Sequence, residues 1–251
     1  MDRSGQVALV IGGTGALGAA IAARLASEGA DVAFTWHRNA DKAAALEKTI
    51  VAHGRRSHGA QVALDDAAAV GAFVGEVVSR FGGLDTLVYA SGPAFELAFV
   101  AKVPPADWSR VIDADLKGCF HAVHAALPHL RARRGSIVAV TAAGVERAIA
   151  RDILSLAPKA AITALMRAIA LEEGRNGVRA NCVAPGYIAG GIGQDIMDAV
   201  GPEMAATLVK AVPLRRMGTC EEIADAVAYL SSARAGYITG NTLFVSGGME
   251  L

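Results

Sequence analysis

The chain has 251 residues, 53% of them apolar, 5% aromatic and 19% charged. That length supports one large α/β domain or two small ones, and the excess of Ala, Val, Ile and Leu suits helices packed on a buried sheet better than an all-β sandwich. Twenty-four basic side chains balance 24 acidic ones, so no global field draws nucleic acid or an anionic membrane.

Val7–Ile11 reads as a short β-branched strand, followed by an apolar-periodic helix through about Gly29. Asp31–Trp36 is a second strand and Asp41–Ala52 a helix. Ser57–Leu64 is a weaker strand, and Asp65 and Asp66 cap the helix that runs through Arg80. Leu84–Ala90 is strand four, and a long helix runs from about Asp107 to Arg131, where a basic run meets the negative end of the helix dipole. Ser136–Thr141, a helix after Ser155, and Val178–Ala184 continue the alternation. A helix over Glu221–Leu230 and a strand at Thr242–Val245 close it. The strands are apolar throughout, so the reading is α/β, a doubly wound parallel sheet with helices on both faces and ligands at the carboxyl ends of the strands. No composition shift or repeat divides residues 1–251, and one domain is expected. Gly190–Val212 falls outside the rhythm and is expected to be a substrate lid.

Cys119, Cys182 and Cys220 are odd in number and widely spaced, as expected of free thiols in a reducing cytoplasm. The first residues run straight into a strand without a signal segment, and no uncharged apolar run reaches the ~18 residues of a membrane span. His121 and His124 lie one turn apart on the long helix, read as surface or interface residues, with no third ligand for a metal. The expected ligand is a small molecule, with no nucleic acid, membrane or metal.

Gly13-Thr14-Gly15-Ala16-Leu17-Gly18 follows the first strand and opens a helix, the context in which a Gly-x-Gly-x-x-Gly loop holds a dinucleotide pyrophosphate. Beyond the second strand no acid occurs before Asp41, whereas Arg38 can pair with a 2′-phosphate. This favours NADP(H) over NAD(H), against the plainer reading of a solvated arginine.

In its C-terminal half the chain carries Gly177-Val178-Arg179-Ala180-Asn181-Cys182-Val183-Ala184-Pro185-Gly186-Tyr187-Ile188. Pro213-Leu214-Arg215-Arg216-Met217-Gly218, Tyr237-Ile238-Thr239-Gly240 and Val245-Ser246-Gly247-Gly248 follow. With these stretches the chain resembles the short-chain dehydrogenase/reductases over essentially its whole length, closest to the 3-oxoacyl-acyl-carrier-protein reductases. The resemblance implies a Rossmann-type sheet of about seven strands, hydride transfer between a nicotinamide and a carbonyl or alcohol, and a homo-oligomer, tetramer or dimer. It also implies cofactor contacts at Gly12, Gly13, Thr14, Gly15, Leu17, Gly18, Asp65, Ala90, Gly92, Lys159, Pro185, Gly186 and Ile188. The usual loop reads Thr-Gly-x-x-x-Gly-x-Gly, from which Ile11 and Ala16 depart. Tyr89-Ala90-Ser91-Gly92 replaces the usual Asn-Asn-Ala-Gly stretch, and Ala63 stands where an acid or amide meets adenine.

The family's Asn-Ser-Tyr-Lys set maps to Asp115, Ala142, Ser155 and Lys159, so only the lysine survives. Ser155 is either an N-cap or part of a Ser-Lys relay, because Pro158 points to a helix that has barely begun. Asp115 is either solvated or paired with Lys159. Lys159 can hold the nicotinamide ribose or act as an acid–base group. Thr141 points away from the site if Ala142 points toward it. Tyr89 and Tyr187 are candidate acids with packing as the plainer reading, and Asp152 and Glu146 are candidates with solvation as theirs. The leading reading is an oxidoreductase with a remodelled site. Its rivals are a catalytically silent cofactor-binding or scaffold member of the same fold and, more weakly, a non-redox lyase or isomerase.

Overall fold

The computed structural model describes residues 2–92 and 94–251. Strands β1 (Val7–Ile11), β2 (Asp31–Trp36), β3 (Ser57–Gln61), β4 (Thr86–Tyr89), β5 (Ser136–Val140), β6 (Arg179–Pro185) and β9 (Thr242–Val245) form one sheet, ordered β3-β2-β1-β4-β5-β6-β9. All neighbours pair in parallel. The chain builds outward from β1 to β3 and then returns to lay β4 on the other side of β1. The crevice beyond the carboxyl ends of β1 and β4 is therefore the switch point at which ligands bind.

Period-2 alternation divides β1 between two cores. Val7, Leu9 and Ile11 join Leu87, Ile137, Phe73, Leu130 and Ile162 on one face. Ala8 and Val10 join Val88, Val138, Ile21, Leu25 and Val227 on the other. Helices α3 (Ala67–Phe81), α5 (Gly118–Arg133) and α6 (Ile153–Glu173) cover the first face; α1 (Ala16–Ser27), α2 (Ala40–Ala52) and α9 (Cys220–Ser231) cover the second. By length and composition Ile153–Asn176 could cross a membrane, but Leu154, Ile162, Met166 and Ile169 are buried within the protein.

Several expected boundaries move. The third strand stops at Gln61 rather than Leu64, because its partner β2 ends at Trp36 and offers no further ladder. The long helix begins at Pro105 as α4 (Pro105–Val111) and passes through a π-helical turn at Ile112–Lys117 before α5. Helix α6 begins at Ile153, not after Ser155. The carbonyl of Asp152 accepts from the amides of Ser155 (3.0 Å) and Leu156 (3.0 Å), so Asp152 is the cap and Ser155 lies in the first turn. Pro158 is interior to this helix, where its missing N–H leaves the Leu154 carbonyl without the usual bond. Tertiary burial of Leu154, Leu156 and Pro158 outweighs that local preference.

Gly190–Val212 folds as two helices, α7 (Gly191–Val200) and α8 (Pro202–Ala211). On either side, β7 (Ile188–Ala189) pairs with β8 (Gly218–Thr219) as a separate two-stranded parallel sheet.

Candidate active site

The turn after β1 is shaped for close backbone approach. Gly12 has φ +86°, and a Cβ there would lie 2.9 Å from the Ala90 carbonyl oxygen; a Cβ on Gly18 would lie 2.2 Å from the Gly12 oxygen. A side chain at either place would push the loop off its neighbours. Gly12 donates to the Thr35 hydroxyl (3.0 Å) and Gly13 to the Thr35 carbonyl (2.8 Å), tying the loop to β2. Gly15 caps α1 without a side chain, and no acid occupies the first turn. The first helical bond is donated by Ala19, so the amides of Ala16, Leu17 and Gly18 lack intrahelical acceptors. Three free amides at a positive helix end, beside glycines that admit close approach, fit a pyrophosphate.

Around this loop the expected cofactor residues take distinct places. Arg38 is exposed and forms no ion pair among the described residues, while the adjacent Asn39 caps α2. Asp65 is exposed, whereas the Asp66 carboxylate is occupied capping α3 through Ala68 (2.9 Å) and Ala69 (3.0 Å). Gly186 lies against the Ser246 backbone, where a Cβ would meet Ser246 Cα at 2.8 Å. Pro185 ends β6, and Ile188 is buried in the core shared with α1 and α9. A Cβ on Gly92 would face Lys159 Nζ at 3.8 Å and Ile192 at 4.0 Å, which places the start of α7 next to the lysine.

Lys159 and Asp115 meet. The ammonium lies 3.0 Å from Asp115 Oδ1 and donates to the Ser91 carbonyl at 2.9 Å, with the Tyr89 ring 5.5 Å away. Both side chains are buried, Asp115 at 3% and Lys159 at 11% exposure. A carboxylate, a carbonyl and a π-face all welcome positive charge, so this pocket positions an ammonium rather than a free amine. One of its three N–H groups is left over. Asp115 lies in the π-helical turn, a local distortion that frequently marks functional sites.

Tyr89 braces that turn. It is fully buried, and its hydroxyl donates to the Asp115 carbonyl at 2.7 Å. Burial first, then the nearby Asp115 charge, holds its phenol well above the usual range. It is therefore a packing and bonding residue, not an acid near neutrality. Thr141 is equally committed, with its hydroxyl turned to the Val183 carbonyl (3.3 Å). Ser155 is half-buried, and among the described residues Lys159 bonds to Ser91 and Asp115 rather than to it.

Of the acids expected to be solvated, Glu146 is exposed, but Asp152 is buried at 6% exposure. Desolvation raises its pKa to about 7. Tyr187, just past β6, is likewise pushed up, chiefly by burial and then by the Asp152 charge, with Arg147 opposing. Sequence reasoning placed Asp152 in a loop; the signal was its spacing of three from Ser155 and seven from Lys159, one helical stripe, hidden by the misplaced helix start.

Comparison with known proteins agrees with this architecture. A family model described as Enoyl-(Acyl carrier protein) reductase matches residues 13–250. The chain is 36% identical over 245 residues to a 3-oxoacyl-[acyl-carrier-protein] reductase of Staphylococcus aureus, covering 97% of this chain and 98% of the relative. A short-chain dehydrogenase from Burkholderia cenocepacia, solved in complex with NADP, superposes with TM-score 0.92 at 31% identity and full coverage of both chains. An NAD+-bound xylitol dehydrogenase superposes with TM-score 0.93 at 28% identity, covering 99% of this chain and 100% of that one.

Proposed function

The chain belongs to the short-chain dehydrogenase/reductase family, and on that premise we propose that it transfers hydride between NADP(H) and a small carbonyl or alcohol substrate, using a remodelled active site. The observation that carries this reading is the buried Lys159–Asp115 pair beside Gly92, in line with a glycine loop whose helix offers three free amides. A bound nicotinamide supplies or accepts the hydride; the chain supplies position and charge. Gly12, Gly13, Thr14, Gly15 and the amides of Ala16, Leu17 and Gly18 hold the pyrophosphate. The remaining Lys159 N–H holds the nicotinamide ribose, and Asp115 with Ser91 fixes the direction of that bond. Asp65 meets the adenine edge. Arg38, exposed and unpaired among the described residues, takes the 2′-phosphate, and the NADP-bound relative supports this preference. Helices α7 and α8 form the lid, shutting water from substrate at the Ile192 end.

We place the subunit interface on the outer faces of α5 and α6, where Phe120 (51%) and Leu171 (85%) are exposed. The free thiols Cys119, Cys182 and Cys220 fit a reducing cytoplasm.

The test is a fluorescence titration with NADPH and NADH, followed by a panel of small ketones and aldehydes assayed with the wild type and Lys159→Ala. The expected result is tighter binding of NADPH and turnover that Lys159→Ala abolishes. Binding without turnover would mark a cofactor-holding scaffold, and no binding at millimolar cofactor would sink the reading.

A further inference from the structure

In the site as described, most hydroxyl and ammonium groups already have other work. Tyr89 and Thr141 are committed to backbone carbonyls, Lys159 is held as an ammonium, and position 142 carries no hydroxyl. Asp152 is not so committed. An aspartate at a helix cap normally accepts from the amides of the first turn. Here the side chain makes no such bond, although Asp152 occupies the cap and its own carbonyl serves Ser155 and Leu156. Oδ1 is buried and has no hydrogen-bond partner among the described residues. The backbone is fixed from outside by a bridge between Ala98 and Asp152, with Ala98 donating to the Arg151 carbonyl at 2.9 Å.

Among the described residues no cation pairs with the carboxyl. Arg151 turns its guanidinium to the Leu97 carbonyl (3.1 Å) and the Phe99 ring (5.7 Å). Arg147, whose charge opposes the rise at Tyr187, reaches the Met249 and Leu251 carbonyls. Lys159, further along α6, is paired with Asp115. Tyr187 is the titratable neighbour that feels the Asp152 charge. The group is a buried carboxyl at the carboxyl end of the sheet, on the same helical stripe as Ser155 and Lys159, one turn before the position that lacks the family's phenol.

We propose that Asp152 is the proton donor of this active site in carbonyl reduction and its proton acceptor in alcohol oxidation. The assignment rests on the hydride-transfer reading above. As hydride from the reduced nicotinamide forms a C–H bond at the carbonyl carbon, the C=O π-pair moves to oxygen. That oxygen takes the proton from Asp152 as its O–H bond breaks. The substrate is reduced to the alcohol, the nicotinamide is oxidised, and the Asp152 carboxylate recovers a proton from water. A carboxyl that titrates about pH 7 suits both directions, since acid and base forms coexist there.

The test combines carboxyl-labelled aspartate NMR on the wild type with kinetics of Asp152→Asn and Asp152→Glu. One carboxyl resonance should titrate near neutrality and vanish in Asp152→Asn. That variant should lose about 10²–10⁴-fold in kcat, keep its NADPH affinity within twofold, and lose the fall in reduction rate above neutral pH. Asp152→Glu should recover part of the rate. A carboxyl at 152 that titrates near pH 4, or an Asp152→Asn enzyme with unchanged kcat and pH profile, would overturn the assignment while leaving hydride transfer intact. Wild-type protein that binds NADPH but turns over nothing in the panel would instead remove the hydride-transfer reading, and the assignment with it.

Discussion

At the amino ends of the strands, Arg3 is 2% exposed, and its guanidinium reaches Glu28 (2.8 Å), Ser231 Oγ (3.0 Å) and the Ala228 carbonyl. Asp31 accepts from Arg55 (2.8 Å), from the Arg56 amide (2.9 Å) and from Arg56 Nε (2.7 Å). A concavity of about 660 Å3 opens on this edge, yet Arg133 and Arg179 in its wall already donate to the Gly82, Leu230 and Ser232 carbonyls. At the carboxyl ends several groups await a partner. Helix α1 begins without a side-chain cap, Lys159 keeps a spare N–H, and a buried Asp152 oxygen has no partner among the described residues. Arg55 Nε and Ser57 Oγ, at the start of β3, also lack partners among the described residues, so what points to a ligand at the carboxyl ends is the unanswered groups together with the glycine loop. The amino-edge concavity is the poorer candidate because Arg133 and Arg179 are already engaged.

That contrast can be broken from either side. The largest effect is expected for Arg3→Met, which leaves buried Glu28 with the half-exposed Arg24 (3.0 Å) in place of two cations and strips the donor from the Ala228 carbonyl. A loss of about 3–5 kcal/mol in urea unfolding should accompany an unchanged NADPH affinity. A parallel loss of affinity would show that the two edges are not independent. Gly18→Ala comes next, because its Cβ would collide with the Gly12 oxygen. It should cost about 3 kcal/mol of stability, at the upper end of overpacking, and weaken NADPH at least tenfold by titration.

Asp152→Asn should stabilise the fold, the opposite sign to Arg3→Met. The folded pKa of Asp152, about 7, lies above its ordinary 3.8. Between those pH values the folded chain holds a proton that the unfolded chain has lost. Stability from this group therefore falls as pH rises from about 4 to 7 and is level above that. The full shift corresponds to about 4 kcal/mol, and roughly half should appear, because the replacing amide is desolvated too. Thermal unfolding at pH 8 should favour the variant, with the difference nearly gone at pH 4.

The smallest effect belongs to Glu173, whose carboxyl is held at about 2 by hydrogen bonds from Arg131, then Asn176. Here the folded pKa is below the ordinary 4.5, so the contribution is complete above that value and fades as pH falls toward 2. Glu173→Gln should therefore cost stability at pH 8, by under about 1 kcal/mol because the half-exposed Arg131 is screened by solvent, with the difference fading toward pH 2 and NADPH affinity within experimental scatter.

How much of this could be read in advance varied with how local the cause was. β1, β2 and β9 fall at their expected residues because β-branched, apolar runs announce buried strands without outside help. The glycine loop was legible for the same reason. The pairing of Asp115 with Lys159 stood as one of two readings, since composition places both in apolar stretches but not opposite each other. They meet through a π-helical turn that accepts a hydrogen bond from the Tyr89 phenol of β4, a contact with no local sequence signature. The start of α6 was misplaced because Pro158 argues locally for a first turn, whereas its burial in the folded chain overrides that rule. With the start misplaced, Asp152 looked like a loop residue in water. The pairing of β7 with β8 is only two residues long on each side, too short for periodicity to reveal.

That short clasp has a consequence for how the chain can change over generations. Because Ile188–Ala189 pairs with Gly218–Thr219, residues 190–217 enter and leave the fold at neighbouring points and form a cassette, held further by the Leu214 amide on the Gly247 carbonyl (3.2 Å). A cassette of this kind can be exchanged for a relative's while the seven-stranded sheet and the cofactor loop stay in place. On the proposed lid role, substrate choice would travel with this cassette, and chimaeras joined at 189 and 218 measure whether it does.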